Sequence, residues 1–347
     1  MKARGAAVMG ALAATALGAA YLTWQRPKEA KTDNTVKVLE ASKTSLAKIR
    51  YEDATRFTEV TRVVGDSEPV IWLKQGFLEG KAPVFDAGTP SADGGTVAAP
   101  LPPVATPTRE LRANERGDKT WEKFTPFEAV RALGQLSDAK LKELSLDQSP
   151  KLLTLTVAGT DHRFRVSNPT AGFVGQYVLD EKTKEVYLLS SGALSEVEPS
   201  STTLVDRRLH AFKQPDFDAF TVTLPDGQKK EFVQTDASIP QTAKVAPKAS
   251  PDKPDEYTKN WHDKVWNRMI VTEVLGKGEQ PAQGAPLVMA KVEYFSKGRP
   301  KGWIEIARVN QVATLMYART ENTAGWVALH TGVEEMILEA QKVVTGH

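Results

Sequence analysis

WEKFTPFEAV at residues 121–130 and WHDKVWNRMI at residues 261–270 open on tryptophans 140 positions apart, and the same landmarks follow each. Trp121 leads to Tyr177 and Gly192, and Trp261 to Tyr317 and Gly332. In both stretches the Trp–Tyr spacing is 56 and the Tyr–Gly spacing 15. Irregular, proline-rich sequence precedes both tryptophans. Bulky landmarks at constant spacing predict one supersecondary unit used twice, because each must fill a comparable hole in a close-packed core. Trp121 and Trp261 are therefore read as core. The alternative is a carbohydrate- or peptide-binding platform that adds Trp303 and Trp326.

Elements can be assigned outward from the tryptophans. After Trp121, Thr125 suits a helix N-cap, Pro126 the first helical position and Glu128 a capping box, with Phe127, Val130 and Leu133 as the apolar face. The matching helix spans Val265 to Leu275, apolar at Val265, Met269, Ile270 and Val274. Leu152 to Val157 and Arg163 to Val166 alternate around Gly159, a hairpin signature. Val288 to Phe295 and Gly302 to Val309 repeat it around Lys297-Gly298-Arg299-Pro300. Second hairpins follow, Gln176 to Leu179 with Glu185 to Leu189, and Thr314 to Ala318 with Gly325 to Leu329. Each copy then turns a strand-to-helix corner, at Ser190-Ser191-Gly192 and at Thr331-Gly332. Thr331 and Glu334 form a capping box ahead of a stripe at Val333, Met336, Ile337, Ala340 and Val344. Upstream, Lys48 to Val64 reads as a hairpin leading to Val70-Ile71-Trp72-Leu73. Hairpins with segregated helices indicate an α+β fold of tandem duplicated β-rich units rather than a parallel α/β sheet. The units are expected at residues 36–203 and 204–347. Residues 80–108 hold six prolines and four glycines and are expected as a surface loop, with a smaller counterpart at 240–254.

The N-terminus sets location. Lys2 and Arg4 precede 19 uncharged residues, Ala6 to Trp24, long enough to span a bilayer at ~1.5 Å per residue. Tyr21 and Trp24, followed by Arg26, Lys28 and Lys31, favour an uncleaved signal anchor over residues 1–24 with a tether at 25–35. Gly18-Ala19-Ala20 keeps a cleaved signal peptide as the alternative. Gly10, Ala14 and Gly18 fall on one helical face, a small-residue pattern that admits a second membrane helix. Either reading exports the body, so a single-pass inner-membrane protein facing the periplasm is expected.

Composition narrows the partners. With 45 basic and 43 acidic residues the formal charge is +2, which supplies no field for nucleic acid. Lys229-Lys230 and Lys297 to Lys301 read as hairpin tips. The absence of cysteine removes disulfides, thiolate metal sites and a lipoprotein anchor. His162, His210, His262, His330 and His347 lack metal-pair spacing. His262 and Asp263 are read as surface residues beside a core tryptophan. Asp216 and Asp218 resemble a metal-binding Asp-x-Asp, although an exposed strand entry gives the same spacing. Gly276-Lys277-Gly278 lacks phosphate-loop spacing. No catalytic residue, cofactor or metal is expected. An envelope enzyme acting on glycan or peptide would draw on Asp216, Asp218 or His262, and a structural spacer is the third possibility.

Several phrases carry a resemblance. Leu204-Val205-Asp206-Arg207-Arg208-Leu209-His210-Ala211-Phe212 with Phe217 to Val222 is one. Leu144 to Asp147 running into LLTLTV is another, and Gly175 to Val178 with Val186 to Leu189 a third. In these phrases and in their order, residues 36–345 resemble the domain-of-unknown-function family numbered 4340. The resemblance implies a single-pass bacterial envelope protein with a tandem β-rich body. It also implies an accessory role beside a gliding-motility-type ABC transporter, with a polytopic membrane protein and other envelope subunits as partners. It supplies no catalytic residues, and the long loop at 80–108 departs from the family's compact pattern.

Overall fold

Alternating apolar residues between turn-forming ones build two long antiparallel sheets. The computed structural model describes residues 35–64, 69–81, 108–168, 175–236, 242–309, 315–330 and 333–346. The expected anchor with Gly10, Ala14 and Gly18, all but the last residue of the tether, most of the loop at 80–108, Thr331 and Gly332 lie outside them. Among the described residues no helix is long and apolar enough to cross a membrane.

The first sheet contains β2 (Leu46–Glu52), β3 (Arg56–Val63), β4 (Val70–Phe77), β5 (Arg109–Arg112) and β7 (Arg131–Gln135). It is completed by β8 (Leu152–Val157), β9 (Thr160–Val166), β10 (Tyr177–Asp180) and β11 (Glu185–Leu188). Its order is β5-β4-β3-β2-β8-β9-β10-β11-β7. β1 (Val36–Leu39) and β6 (Phe127–Ala129) pair separately. The second sheet holds β12 (Ala219–Thr223), β13 (Lys229–Thr235), β14 (Lys244–Pro247) and β15 (Val271–Val274). Its remaining strands are β16 (Leu287–Ser296), β17 (Arg299–Arg308), β18 (Met316–Thr320) and β19 (Val327–Leu329). They run β14-β13-β12-β16-β17-β18-β19-β15. Counted from β12, that order is third, second, first, fifth, sixth, seventh, eighth, fourth. Counted from β2, with β5 added at the edge and β6 set aside, the first sheet follows the same order. The chain is thus β-rich α+β.

Local chemistry explains the hairpins. Asp53 Oδ1 accepts from the backbone of Thr55 and Arg56 at 2.7 Å, turning β2 into β3. Ala158-Gly159 between β8 and β9, and Lys297-Gly298 between β16 and β17, both have positive φ, as a two-residue turn between right-twisted strands requires. Ile49 and Tyr51 of β2, Phe220 and Val222 of β12, and Val292 and Tyr294 of β16 alternate into the core at period two. One continuous core runs from the first sheet into the second.

The helices correct the sequence reading. Helix α1 (Arg116–Lys123) contains Trp121 rather than following it. The hydroxyl of Thr125 donates to the carbonyls of Trp121 and Glu122, closing the end of α1 instead of opening a helix. Phe127 enters β6 because β1, far upstream, pairs with it, and Val130 is exposed. A short helix α2 (Asp138–Glu143) follows β7. Helix α3 (Glu256–Asn267) likewise begins before Trp261, capped by Asp255 accepting from Thr258 N at 2.9 Å. The stretch expected to be helical through Leu275 turns into β15, leaving Ile270 62 % exposed. Trp121 and Trp261 are each the sixth residue of their helix, and both are 1 % exposed. Tyr177 and Tyr317 lie in β10 and β18, the seventh strands of the two counts.

Three further expectations are revised. Gly192 opens a run of turns rather than a helix, with Leu194 and Val197 of that run buried. Residues 240–254 include β14, so they are not a loop throughout. The C-terminal helix α4 (Glu334–Thr345) buries Met336, Ile337, Ala340 and Val343 rather than Val344. It packs on α3, β12, β13 and β16.

Backbone joins the two halves at the outer edge of β5. Asn114 N donates to Leu204 O at 2.8 Å and Asp206 N to Arg112 O at 2.9 Å. Lys277 N donates to Glu110 O at 2.8 Å, and the Arg109 guanidinium pairs with Glu273 at 2.7 Å and Glu279 at 3.0 Å. Two glycines of this joint pack tightly, and at Gly325 a side chain would clash with backbone. A Cβ on Gly276 would lie 3.0 Å from Glu110 N, and one on Gly325 2.4 Å from Gly276 O, both backbone atoms. Gly325→Ala should therefore destabilise the protein by about 1–3 kcal/mol, the usual range for overpacking. Urea unfolding checks this, and a midpoint equal to wild type would mean that the Gly276 backbone yields freely.

Candidate functional site

The joint leaves a groove between β5, the start of α1 and the chain linking the sheets. A cavity of 630 Å³ is lined by Asn114, Glu115, Arg116, Thr202, Arg207 and Arg208, among others. A second, of 430 Å³, shares Asn114, Glu115 and Arg208, and adds Val70, Arg112, Asp118, Ala211 and Asn322. Clefts between packed units are common ligand sites because two surfaces converge there.

Hydrogen bonds tie the floor together, although the buried Asn322 Oδ1 has no partner. Asp206, buried at 7 % exposure, accepts from Arg208 N at 2.9 Å, Arg208 Nε at 3.0 Å, Arg208 Nη2 at 3.0 Å and Asn322 Nδ2 at 3.2 Å. Arg208 reaches on to Glu115 at 2.6 Å. Hydrogen bonding to Asp206 holds the Arg208 guanidinium above its ordinary pKa, although partial burial opposes this. Asn114 supports both walls: Nδ2 donates to Thr203 O at 2.8 Å, and Oδ1 accepts from Arg116 N at 2.9 Å, ahead of the first turn of α1. Among the described residues, no carboxylate lies within ion-pair distance of Arg112, Arg116 or Arg207.

A histidine-rich aromatic cluster lies elsewhere, in the core of the second sheet. The His210 ring stacks on Trp266 at 4.7 Å and 4°, and its Nδ1 lies 3.0 Å from Glu321 Oε1. His262 was expected at the surface, but it has no exposed area and stacks on Phe220 at 4.5 Å. Its place is set by α3, whose inward face carries Thr258, Trp261, His262 and Val265 at helical spacing. Neither ring nitrogen of His262 has a hydrogen-bond partner, nor has the buried Tyr294 hydroxyl. Burial pushes the His262 pKa down to about 4.

The other sequence candidates do not converge with it. Asp216 accepts from Lys213 N at 2.8 Å and Asp218 from Lys297 N at 2.9 Å, so both carboxylates brace turns. Trp121 and Trp261 are interior, which leaves only Trp303 and Trp326 near one another, on either side of Arg319 at 5.7 and 4.7 Å. Gly276-Lys277-Gly278 belongs to the joint. Among the described residues no group of three or more His, Cys, Asp or Glu is placed to hold a metal. Sequence reasoning passed over the groove, although the phrase from Leu204 to Phe212 carries Asp206, Arg207, Arg208 and His210.

Compared with known proteins, the chain matches no protein-family model, no curated protein and no solved structure.

Proposed function

We propose that this chain is a membrane-anchored, extracytoplasmic binding or scaffolding subunit, accessory to an ABC-type envelope transporter complex. The observation that carries the binding role is the groove between two sheets of matching strand order, over a floor in which Arg208 and Asn322 both donate to Asp206. In this reading the two sheets are tandem copies of one unit, and the second copy keeps a full C-terminal helix where the first has a run of turns. The joint makes the pair a single rigid support, which suits a subunit that positions partners. The 19-residue uncharged N-terminal segment supports anchoring, and the phrases shared with the family numbered 4340 support the transporter setting.

Crosslinking tests this reading. A photoreactive residue at Gly10 or Gly18, activated in native membranes, should trap a polytopic membrane partner. Recovery of self-crosslinks alone would overturn it.

A further inference from the structure

We propose that His262 makes helix α3 an acid-responsive latch on the second sheet. In mild acid the imidazole takes up a proton by leaving the core, so α3 opens while the first sheet stays folded. The ring sits in an aromatic cage. Phe220 stacks on it at 4.5 Å and Trp266 at 6.1 Å, while Phe217 and Tyr294 meet it edge-on at 5.6 and 5.8 Å. It has no exposed area, and among the described residues neither ring nitrogen has a partner. An imidazolium held there would have neither water nor an acceptor, so burial excludes the charged form.

The surrounding charges leave that balance in place. Asp263 on α3 favours the proton but is paired with Lys259 at 3.1 Å, and His210 from the chain linking the sheets opposes it. Glu321, just after β18, lies against His210 at 3.0 Å. From β16 the Tyr294 hydroxyl is neutral, and β12 presents Phe220. Between α3 and α4, Lys264 and Glu339 pair with each other at 2.5 Å, and Lys244 of β14 pairs with Asp236 at 3.4 Å. The other half lacks the device. His262 is the seventh residue of α3, and the seventh residue of α1 is Glu122, exposed and paired with Lys43 at 2.6 Å. Every ring of the cage belongs to the second half.

Opening α3 takes up one proton. Its equilibrium should therefore rise by up to about tenfold per pH unit below 6.5 and level off near 4. Amide hydrogen exchange on the detergent-purified full chain, divided by the intrinsic rate at each pH, tests this. Peptides from α3 should open about a hundredfold more at pH 4 than at pH 7, and ahead of β8 and β9 at both. In H262F, whose ring needs no acceptor, the rise should shrink below about tenfold, the remainder coming from carboxylates common to both proteins. The wild type alone can overturn the latch. A single opening equilibrium shared by α3, β8 and β9 would mean that the whole chain unfolds together. Opening of α3 that ignores pH would mean that the Phe220 ring face holds the charge in place.

Discussion

Replacing Trp261 with alanine should remove about 3–5 kcal/mol of stability, the range for large core aromatics. The indole is 1 % exposed, and its Nε1 donates to Met336 O at 2.8 Å, tying α3 to the first turn of α4. Truncation therefore opens a cavity and loses the hydrogen bond to Met336 O. Trp121 is equally buried, yet its Nε1 has no acceptor. The Trp121→Ala cost should accordingly fall at the lower end of the same range. Phenylalanine sharpens the contrast. Trp121→Phe should be close to neutral because it deletes an unsatisfied donor, while Trp261→Phe should cost about 0.5–1.5 kcal/mol by losing the hydrogen bond to Met336 O. Urea unfolding of the four variants at neutral pH measures this. Equal costs for the two phenylalanine variants would show that the Trp261 hydrogen bond contributes nothing.

Acid should destabilise the protein through His262. Its folded-state pKa is lowered from 6.5 to about 4, chiefly by burial and secondarily by His210, with Asp263 opposing. The unfolded chain therefore binds a proton that the folded chain refuses. Stability is fully present above pH 6.5, declines as pH falls toward 4 and levels off below it. One pKa unit corresponds to about 1.4 kcal/mol, so the total is on the order of 3 kcal/mol. His262→Phe suits the site, since the ring already stacks on Phe220 and makes no hydrogen bond. That variant should lose about 3 kcal/mol less than wild type between pH 7 and pH 4. Paired carboxylates such as Glu196 lose stability in acid in both proteins, so the difference isolates the imidazole. Identical pH profiles would mean that His262 takes up its proton without leaving the core.

Some of this architecture is legible residue by residue. The hairpins of β2 with β3, β8 with β9 and β16 with β17 were legible because their apolar alternation and turn residues are local. Trp121 and Trp261 were legible as core because large aromatics at constant spacing need comparable holes. The helices carrying them were misread, since Thr125-Pro126 has the local form of a helix start while β1, distant in sequence, draws Phe127 into a strand. His262 was misread for a related reason. A polar residue type suggests the surface, whereas its position one residue from Trp261 on α3 carries it inward.

By itself the sequence determined the β-rich α+β class and most strand positions, both of which live in side-chain pattern. Only the tertiary structure decided where the halves meet and what lines the groove. The joint is made by backbone groups: Asn114 N on Leu204 O, Asp206 N on Arg112 O and Lys277 N on Glu110 O. Apart from proline, which lacks the donor, every residue carries the same amide and carbonyl, so a sheet edge filled this way leaves almost no mark in residue type. The charge balance of the groove is equally non-local. Arg208 is neutralised by Asp206 beside it and by Glu115, 93 residues earlier.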